Sequence, residues 1–86
     1  MKQTILRQLE SILREVFQDP ALPVTESLTM AQVPAWDSVG HMALISATEN
    51  RFAIRCSLAE LVPVESVAAL VALVEQKWDG HTLQQP

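Results

Sequence analysis

The 86-residue chain has one cysteine, no tyrosine, four aromatic residues in all, and only six basic residues against ten acidic ones. Cys56 alone cannot close an internal disulfide, and the chain lacks the ligands that a metal site needs. The net charge of −4 leaves no basic stripe, so nucleic acid, which is held mainly by Lys and Arg contacts to phosphate, is not an expected partner. The longest unbroken apolar run, Val67–Val74, falls far short of the roughly 20 residues that cross a bilayer. The N-terminus runs directly into a helical pattern without the apolar core and cleavage site of a signal peptide. A monomer of the cytoplasm is the expectation. Size narrows matters further. At 9.5 kDa the chain makes one small domain, and a pocket of roughly 300–1,000 Å³ is hard to enclose while keeping a core around it. A self-contained enzyme is therefore disfavoured.

What is present is helical periodicity. Ile5, Leu9, Ile12 and Val16 recur at spacings of four, three and four, widened by Leu6, Leu13 and Phe17, which predicts a helix over residues 3–18. Asp19-Pro20 ends it. Residues 19–37 hold three prolines and no sustained period. Their scattered apolar residues predict a loop laid across the helices and pinned by Leu28, Val33 and Trp36. A second helix is expected over 38–52, with Met42, Ile45, Glu49 and Phe52 sharing a face and Asp37 as its N-cap. Gly40 in its first turn costs up to about 1 kcal/mol relative to Ala and asks for a reason. Leu58 to Val62 reads as a short helix ended by Pro63. A last helix starting near Val64 or Glu65 buries Val67, Leu70, Val71, Val74 and Trp78 and stops at Gly80. The fold class is an all-α four-helix bundle: three long helices, a short one and a long first connection. Residues 1–80 form the domain, and 81–86 a disordered tail.

The segment from Trp36 to Met42 carries the most pointed chemistry. Ser38 starts a helix after a long loop, where free backbone amides and the positive end of the helix dipole favour an attached or bound anion. Its plain alternative is a second capping residue. His41, three residues on, suggests a Ser–His pair, but the glycine that precedes the serine of a nucleophile elbow is replaced by Trp36. His41 is therefore expected at the surface or beside a phosphate. Trp36 reads as a staple of the loop onto the second helix, or as a flank of whatever Ser38 carries. Met30 and Met42 read as core, or as the lining of a groove for an acyl chain.

Asp37-Ser38-Val39, with Glu49 eleven and Phe52 fourteen residues after the serine, resembles the prosthetic-group site of acyl carrier proteins, and the likeness spans residues 3–78. It implies that a phosphopantetheinyl transferase attaches 4′-phosphopantetheine from coenzyme A to Ser38. The thiol of that arm then carries an acyl group as a thioester, while the protein supplies position and electrostatics. Cys56 is not that thiol. Further partners implied are a loading ligase or transferase and downstream biosynthetic enzymes. Carriers of primary metabolism are often acidic two, five and twelve residues past the serine, where this chain has Gly40, Ala43 and Asn50, and they have leucine where it has Val39. A dedicated or secondary-metabolite pathway is thereby implied, with partners that recognise Val39, Met42 and Ala43 by packing. Two alternatives stand beside this reading: an aminoacyl or peptidyl carrier of a non-ribosomal pathway, and an unmodified helical interaction module.

Overall fold

A computed structural model describes residues 2–83. Helix α1 spans Lys2–Val16, α2 Ser38–Phe52, α3 Leu58–Leu61 and α4 Val67–Lys77, and α1 packs against both α2 and α4. Ile5, Leu9, Ile12 and Leu13 give α1 its buried stripe. The helix stops two residues before the predicted end. Gln18 turns left-handed at φ 53°, its N–H donates to Glu15 O, and the Asp19 N–H reaches back to Arg14 O, which closes the last turn before Pro20 can act.

The long connection is ordered by burial. Leu22, Val24, Val33 and Trp36 are core residues, Leu28 and Met30 pack against them, and a 3-10 turn covers Met30–Gln32. Arg14 Nε donates to Leu22 O at 2.9 Å and fastens the start of the loop to α1. Further on, the loop lies antiparallel to the residues before α4. The Met30 N–H donates to Glu65 O at 2.8 Å, and an isolated bridge pairs Thr29 with Ser66.

That pairing explains why α4 begins at Val67 and not at Val64 or Glu65. Glu65 O is taken by the loop, Ser66 is extended in the bridge to Thr29, and Ser66 becomes the N-cap, accepting from Ala69 N–H at 3.1 Å. The first-turn amides of Val67 and Ala68 donate to Leu28 O and Glu26 O. All three leading N–H groups of α4 are thus satisfied. Val67, Leu70, Val71 and Val74 are buried as expected, and Trp78 is buried at the C-cap, just past the helix.

Helix α3 is short and firmly closed. Ser57 and Glu60 form a reciprocal capping box, and Glu60 also pairs with Lys77 Nζ at 2.9 Å, joining α3 to the end of α4. The Ser57 backbone N–H, then Lys77 and the Ser57 hydroxyl, hold the Glu60 carboxyl down to about 2. The Asp79 carboxyl is held at about 2 by the N–H groups of Thr82 and His81 and by the Thr82 hydroxyl. A carboxyl whose folded-state value is depressed stabilises the fold fully above its ordinary value and loses that contribution as pH falls towards the depressed one. The urea midpoint should therefore fall between about pH 4.5 and about 2, and Glu60→Gln should flatten part of that fall. A wild-type midpoint that stays level across this range would contradict the assignment.

Of the tail expected to be disordered, residues 81–83 are tied back, with Trp78 Nε1 donating to Thr82 O at 2.6 Å. Residues 84–86 lie outside the described residues.

Candidate functional site

Helix α2 starts and ends where the sequence places it. Asp37 is the N-cap, its Oδ1 accepting from Gly40 N–H at 2.8 Å, while the His41 N–H donates to Asp37 O at 2.7 Å. Ser38 is the first helical residue, and its side chain is exposed. Among the described residues nothing accepts from the N–H of Ser38 or Val39, so two backbone donors lie free beside the Ser38 hydroxyl. An anion on Ser38 would meet them and the positive end of a 15-residue helix.

Gly40 has the reason that the sequence asked for. A Cβ at this position would run into the carbonyl oxygen of Ala35 and come within 3.1 Å of Phe17 Cε1. The loop therefore folds back directly over the first turn of α2, and only a glycine allows it to come so close.

His41 departs from expectation. It is neither a surface residue nor a neighbour of Ser38 in a catalytic pair, because its ring is turned inward and only 8% exposed. Trp36 Nε1 donates to His41 Nδ1 at 2.9 Å, and His41 Nε2 lies 3.0 Å from Leu61 O in α3. Trp36 itself is 2% exposed, lies nearly parallel to the imidazole and packs on Phe17. Its staple role agrees with this arrangement, with an imidazole as the anchor.

The inward turn of His41 also rotates the buried face of α2. His41, Leu44, Ile45, Thr48 and Phe52 point into the core, and Thr48 Oγ1 satisfies itself on Leu44 O at 2.8 Å. Met42, predicted on the core side, is exposed instead, and Glu49 is half-buried. The Glu49 carboxylate accepts from Cys56 N–H at 2.8 Å and holds the α2–α3 turn. Burial first, and then Glu49, push the half-buried Cys56 thiol up, which keeps it protonated.

Four large apolar side chains stand exposed among the described residues: Val39 and Met42 on α2, Leu58 on α3, and Val62 at the α3 C-cap. Ala43 is exposed as well. The sequence named Val39 and Met42 for partner recognition, although it also set Met42 on the core face, and it did not single out Leu58 or Val62. The only charges on α2 are Glu49 and Arg51, both in its second half, so the first half of the helix is uncharged, with Asp37 just before it. Met30 is half-buried and, with Thr29, Ala31, Trp36, Pro63, Glu65, Ser66 and Ala69, lines an open groove of about 800 Å³ between the loop and the start of α4.

No helix among the described residues is long and apolar enough to cross a membrane. No family model and no curated protein matches the chain. Among solved structures, it is similar to the solution NMR structure of holo acyl carrier protein from Geobacter metallireducens, with 36% identity, a TM-score of 0.78, and coverage of 84% of this chain and 83% of that one. Likeness in sequence and in backbone over most of both chains shows that this protein belongs to the acyl carrier protein family, whose members are carriers rather than catalysts.

Proposed function

We propose that the protein carries acyl groups on a 4′-phosphopantetheine arm attached to Ser38, and that it serves a dedicated biosynthetic pathway. One observation carries the assignment: in a chain of this family, the serine that opens α2 is exposed beside two unused backbone N–H groups. The residues fit the group. The Asp37 carboxylate, which would repel a phosphodiester, is turned to Gly40 N–H, and the Ser38 and Val39 amides are available to donate to the phosphate oxygens. The arm supplies the thiol that bears the cargo. The protein holds the attachment point at a helix end and offers a face to the enzymes that load and unload it.

Val39, Met42 and Ala43 on α2, with Leu58 and Val62 around α3, supply that face. With no acidic residue in the first half of α2, recognition by packing is favoured over recognition by charge. Partners of this chemistry are a phosphopantetheinyl transferase, a loading ligase or transferase, and downstream enzymes of the pathway. A dedicated pathway fits an apolar, near-neutral face that a charge-reading partner would not select.

Incubation with coenzyme A and a broad-specificity phosphopantetheinyl transferase should add the mass of one phosphopantetheine, and Ser38→Ala should add none. No gain on the wild type would sink the reading and favour an unmodified interaction module. On the loaded protein, Val39→Asp should slow transfer to partner enzymes by about tenfold or more, because it buries a charge at an apolar contact, and Met42→Ala should slow it less. Unchanged rates in both variants would refute the docking assignment. The mass carried by protein isolated from its native cell distinguishes an acyl from an aminoacyl cargo.

A further inference from the structure

The hydrogen bonds around His41 form a continuous buried chain from the residue two before Ser38 to the last turn of α3. The indole N–H of Trp36 can only donate, so His41 Nδ1 must accept. That leaves the ring proton on Nε2, where it meets the Leu61 carbonyl at 3.0 Å. The partners thus fix one neutral tautomer, with both ring nitrogens used. Neither end has a substitute at hand, since Trp36 and His41 are 2% and 8% exposed, and a buried group stripped of its partner is costly. Three contacts converge on the same short stretch. Gly40 admits the Ala35 carbonyl, Asp37 caps α2, and His41 holds Trp36. Only the last of these reaches on to α3.

The chain of bonds joins two parts of the surface that function requires together. At one end is the junction that presents Ser38, and at the other is Leu61, flanked by the exposed Leu58 and Val62. Helix α3 is only four residues long, so its own bonds close its single turn, and its orientation depends on such external ties. The Glu60–Lys77 pair ties it to α4, and the Leu61–His41 bond ties it to α2.

We propose that His41 is a positioning residue: its imidazole locks the Trp36–Ser38 junction to α3, so that the attachment serine and the apolar residues on both helices meet a partner enzyme as one rigid face. The proposal rests on the Ser38 reading for its purpose, but not for its geometry. It predicts that loosening one end of the lock loosens the other.

Two substitutions break one bond each. Trp36→Phe keeps an aromatic ring and removes the donor to Nδ1. His41→Asn keeps an acceptor near Nδ1 and removes the reach to Leu61. Amide hydrogen exchange reads the consequence at Leu61 and Val62, whose N–H groups donate within α3 to Ser57 O and Leu58 O. In Trp36→Phe, a residue with no direct bond to α3, exchange at these two amides should rise about tenfold or more, with the α1 and α4 amides unchanged. If Leu61 and Val62 keep their wild-type exchange in Trp36→Phe, or if all amides rise together, the lock is refuted. Trp36→Phe decides alone should His41→Asn fail to fold.

Kinetics with coenzyme A and the transferase test the purpose. Both variants should raise the KM for the carrier by about three- to tenfold and leave kcat within about twofold, as expected when presentation is disturbed and chemistry is not. An unchanged KM overturns the link from lock to partner. Should the wild type take up no arm, the Ser38 reading falls, and the exchange measurement alone decides whether the lock exists.

Discussion

Gly40→Ala should lower the melting temperature by about 10–20 °C, from a net loss of about 2–3 kcal/mol at about 4–8 °C per kcal/mol for a domain of this size. Helix propensity alone predicts the opposite sign, since alanine inside a helix is better than glycine by about 0.5–1 kcal/mol. Overpacking wins because the added methyl meets a backbone oxygen, Ala35 O, and not the end of a flexible side chain. The loop must then lift away from α2, which pulls on Trp36 and the bond to His41. Ala43→Gly makes the natural control. That position is exposed on the same helix, and removing its methyl should cost only about 0.5–1 kcal/mol. Thermal unfolding of the two variants by circular dichroism decides the point. A Gly40→Ala protein as stable as the wild type, or more so, would show that the loop does not press on the helix.

Phe52→Ala should cost about 3–5 kcal/mol, a large share of the total stability of so small a domain. Phe52 is 1% exposed and meets Trp78 edge-on, with ring centroids 5.0 Å apart. Its loss therefore removes apolar burial and an aromatic pair together, and leaves a cavity between the C-terminal ends of α2 and α4. The expected phenotype is separable from that of the Ser38 end. Along a helix rising about 1.5 Å per residue, Phe52 sits about 20 Å from Ser38. Whatever fraction of Phe52→Ala protein is folded should accept the arm at the wild-type rate. Urea unfolding measures the stability loss, and transferase assays at low temperature measure the modification. A loss under about 1.5 kcal/mol would mean that the site collapses around the gap.

These two positions illustrate which parts of the molecule the sequence discloses. Asp37 and Ser38 announce the start of α2 because capping is a local matter, decided within four residues, and the helix begins there. Phe52 is likewise visible as the last apolar residue in register. The start of α4 was not, because it is set from far away. Glu65 looks like a first-turn acid, yet its carbonyl is taken by Met30, and the helix waits until Ser66 can cap it. His41 was missed for a related reason. A histidine reads as polar, and its partner Trp36 lies across a turn that has to form before the two can meet. One sign was available: His41 stands three and four residues before Leu44 and Ile45, on the line that runs through Thr48 to Phe52. A polar residue on a core line, with a tryptophan five residues upstream, is a pairing worth testing in any sequence. Leu58 and Val62 were read only as the ends of a short helix, because a four-residue helix has no period long enough to define a face.

The pairing of loop carbonyls with the first amides of α4 bears on how the chain acquires its structure during synthesis. Glu26 and Leu28 leave the ribosome some forty residues before Ala68 and Val67, the donors that their carbonyls await. Nothing earlier in the chain replaces those donors, so α1, the loop and α2 emerge without the element that fixes their arrangement. The loop takes its final path only once α4 arrives, and α4 in turn starts cleanly only because the loop is there. A nascent chain stopped at Pro63 should therefore stay protease-sensitive throughout, and emergence of residues 64–83 should bring the whole domain to resistance in a single step.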